Sequence, residues 1–259
     1  MKKLIFRLAI ALVVLLIVAV VAVSLLLDKA IKHGVETFGP KFTKVDIKLN
    51  SVSLSLLSGG GSIKGLVVGN PEGFSTPSAI SVGLASLSLK PGSLLSDKIV
   101  IKSIRVEAPE ITYETTLKRS NLNTILENVQ AATGGAKEPG KPKEPAAPAE
   151  SKPPKKLQVD EFVITGAKVR VSVTGLGGGA ATVPLPDIHL TDLGSGPEGI
   201  TPAELTKRVL AEIEKGAASA ATSVVNDIGK GAADAAGKTA SNALGTVTKG
   251  IGGLFKKKQ

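Results

Sequence analysis

The sequence predicts a mainly β protein with a few α-helices, carried behind one N-terminal transmembrane helix. Three observations carry that prediction. Residues 8–27 run for twenty positions without a charge, a proline or a glycine. From Lys44 onward the apolar residues recur with a period of two, the signature of half-buried strands. The chain of 259 residues has a net charge of +10, no cysteine and only 3% aromatic residues.

Composition removes several function classes. Without cysteine there is no disulfide framework, lipoprotein anchor, thiol nucleophile or thiolate-ligated metal. His33 and His189 alone cannot build a multi-histidine centre, so neither a metal nor a cofactor is expected. The positive charge sits in three clusters: Lys2, Lys3 and Arg7; the lysines of residues 133–156; and Lys256, Lys257 and Lys258. A nucleic-acid surface gathers charge on a folded face with aromatics for stacking. Charge in tails and a linker points instead to anionic lipid.

Residues 8–27 would span about 30 Å as a helix, the hydrocarbon thickness of a bilayer. A secretory h-region is shorter, about 7–15 residues. The segment is therefore read as a retained anchor, against the rival of cleavage near Ala22-Val23-Ser24. Lys/Arg counts on the two sides are tied, and the free amine with its adjacent cluster places the N-terminus in the cytoplasm.

A short helical continuation is expected to stop at Gly39-Pro40. Val45, Ile47 and Leu49 then alternate with polar residues, and Val52, Leu54 and Leu56 alternate on the opposite parity. Such a switch requires a bulge or bend. It recurs between Ile80, Val82, Leu84 and Leu87, Leu89, and between Ile99, Ile101 and Ile104, Val106. Ile111 and Tyr113 follow Ala108-Pro109. Turns at residues 58–61, 70–73 and 90–92 complete an antiparallel meander with one aliphatic face. A helix over residues 121–130, capped by Ser120 or Asn121, closes this first part, residues 28–132. Residues 133–156 hold six of the fifteen prolines with Lys, Glu, Gly and Ala, a disordered linker by composition.

Strands resume with Leu157, Val159, Phe162, Ile164, Val169, Val171 and Val173, then pass a glycine loop to Val183, Leu185, Ile188 and Leu190. This second β part covers residues 157–200. Thr201-Pro202-Ala203-Glu204 is a capping box with proline at the first helical position, opening a helix whose stripe is Leu205, Val209 and Ile213. Residues 216–259 are rich in Ala, Gly and Lys but weakly amphipathic, a pattern that orders against a membrane surface or the protein itself.

Apparent chemical motifs do not assemble. Residues 231–239 (GAADAAGKT) have one residue too many for a phosphate-binding loop and follow no strand. His189 with Asp187 lacks a third ligand or a nucleophile. Glu107, Glu110 and Glu114 read as isolated, solvated carboxylates. The expectation is a non-enzymatic protein.

The aliphatic face needs a cover. Eight or nine strands make a sheet roughly 40 Å across, too wide for the short helices expected over residues 121–130 and 203–215. Two architectures satisfy it: a β-sandwich, or a curved trough whose apolar interior stays accessible. A lining of Leu, Ile and Val without fixed polar groups suits acyl chains. The candidates are Ile47, Leu49, Leu54, Leu56, Ile63, Leu84, Leu87, Leu89, Ile99, Ile101, Ile104, Val106, Phe162, Ile164, Val169 and Val171.

The runs SVSLSLLSGGGSIKGLVVGNPEGF (residues 51–74), SLLSDKIVIKSIRVEAPEITYE (93–114) and SNLNTIL (120–126) resemble the AsmA family of bacterial envelope proteins. The shared features fall on Ile63, Gly65, Leu66 and Val68, on the turn Asn70, Pro71, Gly73 and Phe74, and on residues 99–111. The later VPLPDIHLTDLGSGPEGITPAEL also resembles short members. The resemblance implies a single-pass inner-membrane protein with its bulk in the periplasm and a curved sheet forming a hydrophobic groove. It further implies a part in lipid transport or outer-membrane biogenesis, with phospholipid and envelope proteins as partners. A sheet of this length cannot bridge an envelope alone, which leaves a partner-dependent or scaffold role open.

Overall fold

The computed structural model describes residues 2–116, 119–133, 155–173 and 180–226. Most of the expected linker, the glycine loop at residues 175–179, the GAADAAGKT segment and the basic C-terminus lie outside them. Among the described residues nine strands form one curved half-barrel sheet. They are β1 (Ile47–Leu54), β2 (Gly60–Val68), β3 (Ile80–Leu89), β4 (Lys98–Glu107), β5 (Glu110–Thr115), β6 (Lys156–Thr165), β7 (Lys168–Val173), β8 (Ala180–Pro184) and β9 (Ile188–Leu193). Three helices accompany them: α1 (Lys2–Thr43), α2 (Asn121–Ala132) and α3 over residues 202–226.

The second layer is helical, so the architecture is a single trough-like sheet and not the two packed sheets of a sandwich. Nor is it wholly antiparallel, as the meander reading expected. β4 pairs with β6, and β5 with β7, in parallel. Parallel neighbours need a long crossover, which α2 and the chain up to residue 155 supply. The two β parts on either side of the linker thereby become one sheet.

β4 and β5 lie end to end along β3. β6 and β7 continue one another beside them, and β9 and β8 do the same at the far edge. Nine strands therefore give a sheet only six strands wide, about 29 Å at about 4.8 Å per strand.

One row of residues breaks the alternation in every strand. The ladders skip Asn50 opposite Gly65 and Gly65 opposite Gly83, and resume with unchanged register on both sides. The same row continues through Ala108, Gly166 and Pro186, between the strand pairs that lie end to end. Gly65, Ala108 and Gly166 adopt positive φ (63°, 45° and 64°). An extra residue in one strand alone shifts register. An extra residue in all six leaves register intact and creases the sheet, while the aliphatic side chains stay on the same face. A second, shorter crease runs through Lys102, Asp160 and Asp192 (φ 56°). It does not reach β3, and the β3–β4 register accordingly shifts between Ser88 and Leu89.

The parity switches read from sequence in β1 and β4 coincide with these creases. That in β3 does not: the crease falls at Gly83, so the inward set is Val82, Ala85, Leu87 and Leu89. Leu84 shares a row with Lys64 and Glu107 on the polar face and is 38% exposed. Leucine outranked alanine in the hydrophobic pattern, but glycine decided the geometry.

α1 does not stop at Gly39-Pro40. Pro40 lies inside its last turn, and the helix ends at Thr43, where Thr43 Oγ1 donates to the Gly39 carbonyl (2.9 Å) and the Lys44 amide to the Pro40 carbonyl (2.9 Å). The chain then reverses, and β1 runs back along the helix. Asp28 Oδ1 accepts from the Leu54 amide (2.8 Å) and Glu36 Oε1 from the Leu49 amide (3.0 Å). Lys32 Nζ donates to the carbonyls of Leu49 and Asn50. Spaced by four residues, these three side chains share one helix face and satisfy backbone groups that an edge strand otherwise leaves open. The α1 backbone includes residues 8–27, but half of that segment's side chains fall outside the described residues. Among the described residues no helix is long and apolar enough to cross a membrane.

α2 is capped by Ser120, whose hydroxyl accepts from the Asn123 amide (3.1 Å). The capping box opens α3: Thr201 Oγ1 accepts from the Glu204 amide (3.1 Å), and Glu204 Oε2 accepts from the Thr201 amide (2.8 Å). The bonds that the Thr201 amide and the Thr201 hydroxyl (2.7 Å) donate to this carboxylate hold it below its ordinary pKa. α3 outruns its expected stripe. Ala217, Ala221 and Val224 are buried against the core, and their small side chains let an Ala/Gly/Ser-rich segment pack closely enough to offset its weak helix propensity.

Two glycines of the main crease make opposite demands. At Gly65 a Cβ would meet the Asn50 side chain at 2.3 Å with φ at 63°, whereas at Gly83 nothing lies within 4 Å. Gly65→Ala should lower stability by about 2 kcal/mol or more, and Gly83→Ala should change it by less than about 0.5 kcal/mol. Urea unfolding of the full chain in detergent, followed by circular dichroism, checks both.

Candidate functional site

Cross-strand pairing assembles the aliphatic face row by row. On one side of the main crease, Leu49, Leu66 and Val82 lie abreast. On the other side come Val52–Ile63–Ala85–Val106 and then Leu54–Gly61–Leu87–Ile104. Leu89–Ile101 forms a last row, with Ile99 beyond it on β4. No charged or hydroxyl-bearing side chain interrupts these rows. The opposite face carries Ser53–Ser62–Ser86–Arg105 and Ser51–Lys64–Leu84–Glu107. On that face Arg105 pairs with Glu161 at 2.9 Å, an exposed ion pair of little energetic weight.

The helical cover divides this face in two. Leu122, Ile125 and Val129 of α2 and Leu210, Ile213 and Ala217 of α3 join Ile111, Tyr113, Val159, Phe162, Ile164, Val169 and Val171 in the main core. The aliphatic residues of β1–β3 belong to a different environment. Leu49, Leu54, Val82, Ala85 and Leu89 are buried, but Val52, Ile63, Leu66 and Leu87 are only half-buried, and none of the nine joins the main core. Ile101, Ile104 and Val106 lie on the border, half-buried and packed against that core. The result is a four-strand aliphatic panel with α1 along its β1 edge and the helix-covered core on its β4 side.

The sixteen residues proposed from sequence thus separate. Leu49, Leu54, Ile63, Leu87 and Leu89 lie in the panel and Ile99, Ile101, Ile104 and Val106 on its β4 margin. Ile47 is half-buried at the start of β1. Phe162, Ile164, Val169 and Val171 lie beneath the helices, at most 8% exposed. Leu84 is on the polar face. Leu56 sits in the β1–β2 turn, lining a cleft with Val21, Leu25 and Asp28 of α1. Val52, Leu66, Val82 and Ala85 are panel residues absent from the sequence-derived set; alternation already put Val52 and Val82 on the apolar parity, whereas Leu66 and Ala85 are identified by their cross-strand partners.

The turn motif has a structural task. Asn70 Nδ2 donates to the Thr76 carbonyl and hydroxyl (2.6 Å each), and Asn70 Oδ1 accepts from Asn121 Nδ2 (2.8 Å). Gly73 supplies a positive φ of 90°, Pro71 is buried and Phe74 is half-buried. Glu114, expected to be solvated, is instead 2% exposed. Its carboxylate accepts from the Ser75 amide (2.9 Å), the Thr76 amide (2.9 Å) and the Thr76 hydroxyl (2.7 Å). Asn121 Oδ1 accepts from the Glu114 amide (3.0 Å). This network clamps the β2–β3 loop to β5 and α2, at the end of the sheet away from the β1–β2 turn. Burial raises the Glu114 pKa, but its hydrogen bonds outweigh that and leave it below the ordinary glutamate value.

Asp187 Oδ1 accepts from the Gly166 amide (3.1 Å) across the main crease, and His189 is exposed. Among the described residues no group of three potential ligands could hold a metal. The panel offers area and shape but no group to orient a polar substrate, and can hold a flexible apolar chain.

A model of the AsmA family matches residues 1–175, from α1 through β7, and so includes the whole panel and the Asn70–Phe74 turn. No curated protein matches the chain.

The Glu114 clamp has a definite pH signature. With the folded pKa lowered, its stabilisation is fully present above the unfolded pKa and is lost as pH falls through the folded one. Glu114→Gln should cost about 2 kcal/mol at pH 7. That deficit should shrink progressively below pH 4.5 as the wild-type carboxyl protonates. Denaturant midpoints of both proteins across pH 3–7 test the convergence.

Proposed function

The chain belongs to the AsmA family, and we propose that it is a membrane-anchored, non-enzymatic periplasmic protein that holds phospholipid acyl chains on its β1–β4 panel. Family membership supports an envelope-related role. The observation that carries the lipid reading is the half-buried state of Val52, Ile63, Leu66 and Leu87 within uninterrupted aliphatic rows. Half-buried residues at the margin of the main core, such as Ile101 and Val106, pack against it, whereas these four do not join it and are not replaced by polar residues as on a solvated face.

The anchor reading rests on the uncharged segment 8–27 and on the continuity of α1 into the edge cap at Asp28, Lys32 and Glu36. An anchor and an edge cap on one helix tie the panel to the bilayer without a flexible joint. With its N-terminus in the cytoplasm, the sheet would lie on the periplasmic side. A sheet about 29 Å wide does not cross an envelope alone, so the protein would load or relay lipid with envelope partners, in support of outer-membrane biogenesis.

A scaffold role without lipid is the second reading. It is favoured by the helical cover, which already converts the β5–β9 half of the face into an ordinary core.

Lipid content separates the two. Leu87→Lys places a charge in the half-buried panel, and Leu84→Lys places the same charge on the polar face. Phospholipid co-purifying with the full chain, quantified by mass spectrometry, should fall about tenfold in Leu87→Lys, for an expected loss of about 1.4 kcal/mol, and stay level in Leu84→Lys. Equal lipid in both variants, or none in the wild type, favours the scaffold.

A further inference from the structure

The two most exposed large hydrophobic residues among those described are Leu95 (94%) and Leu57 (81%). Leu57 occupies the β1–β2 turn. Leu95 ends the 3₁₀ turn Pro91–Leu95 that follows β3. The two turns are neighbours: the Leu89 amide donates to the Gly59 carbonyl (2.8 Å), and a Cβ on Gly59 would approach the Pro91 ring at 3.1 Å. Leu57 and Leu95 thus project from one end of the sheet. Single exposed leucines are ordinary, so their position has to carry the meaning.

That position is set by α1. Its residues Val21, Leu25 and Asp28 line one cleft with Ser53, Leu54, Leu56 and Leu57, which puts the β1–β2 turn level with the last two turns of the apolar segment. From Leu27 back to Val21 the helix rises about 9 Å. Val21, Val23, Leu25 and Leu26 at this level are all more than half exposed. A helix whose segment 8–27 spans a bilayer would therefore carry the Leu57 turn down to the interfacial layer of that bilayer. Lys90, Lys98, Lys155, Lys156 and Arg208 lie at the same end against Asp97, Glu198 and Glu204, the last within electrostatic reach of Lys156 and Arg208. Lys155 Nζ donates to the Leu94 carbonyl (2.6 Å) and Lys98 Nζ to the Gly196 carbonyl (3.2 Å). Leucine tips beside a surplus of lysines match the boundary between acyl chains and anionic headgroups.

We propose that Leu57 and Leu95 are membrane-insertion tips that seat the Leu54–Leu87–Leu89 end of the panel on the outer leaflet of the bilayer crossed by α1. The inference rests on the anchor reading. It adds the direction of entry: acyl chains pass from the bilayer into the panel past the two tips, and the Asn70–Phe74 end points away from the membrane.

The cysteine-free chain suits the test. Leu57→Cys, Leu95→Cys, Leu15→Cys on the anchor and Glu72→Cys on the far loop are each labelled with an environment-sensitive fluorophore. The full chain is reconstituted in phosphatidylethanolamine/phosphatidylglycerol vesicles containing lipid with a nitroxide on its upper acyl chain. Labels at 57 and 95 should be quenched about twofold or more, as interfacial insertion requires, with label 72 unquenched. Quenching at 15 but not at 57 or 95 overturns the tips while leaving the anchor standing. Equal quenching at 72 also overturns them, because the domain then lies on its side. An unquenched label at 15 removes the anchor and the proposal with it.

Discussion

A β-strand alternates its side chains with a period of two, so a sheet that bends sharply along its strands must break alternation or turn its apolar residues outward. This protein meets the constraint with one extra residue per strand, all in the same row: Asn50, Gly65, Gly83, Ala108, Gly166 and Pro186. Because every strand carries the insertion, each ladder keeps its register through the crease. The aliphatic face is thus continuous from Leu49 to Leu54 and from Val82 to Leu89. The curvature, the panel and the helical cover all follow from that row.

The cover is asymmetric because its helices bring different surfaces. α2 and α3 bury apolar stripes on the β5–β9 half. α1 packs beside the edge strand and addresses it with Asp28, Lys32 and Glu36, capping backbone rather than adding core. A sheet edge closed in this way is protected from pairing with other chains. The β1–β3 face is left between the two, apolar and only partly enclosed. The turn at residues 70–74 and the buried Glu114 pin the β2–β3 loop to β5 and α2 at the opposite end of the sheet.

Much of this was legible in sequence. The alternating strands, the capping box at Thr201, the Ser120 cap and two parity switches rest on local chemistry and are found where spacing puts them. Two features were not, and one was left open. The parallel pairs depend on a crossover that periodicity cannot reveal. The sequence left the segment from residue 216 to order against a membrane surface or the protein itself, and the packing of Ala221 and Val224 decides for the protein up to residue 226, overriding poor propensity. The burial of Glu114 depends on amides from Ser75 and Thr76, almost forty residues away in the chain, which no local pattern predicts. The candidate site divided for the same reason: all its residues are aliphatic and alternating, and only the path of the helices separates panel from core.

The central claim is that one face of β2 meets lipid and the other does not. Ile63 and Lys64 are adjacent and point to opposite faces, Ile63 half-buried and Lys64 exposed. A photo-reactive amino acid placed at each position in turn, in the full chain in living cells, tests the claim most directly. Phospholipid adducts at position 63 and none at position 64 are the predicted result. Adducts at neither position, or equally at both, would contradict the account.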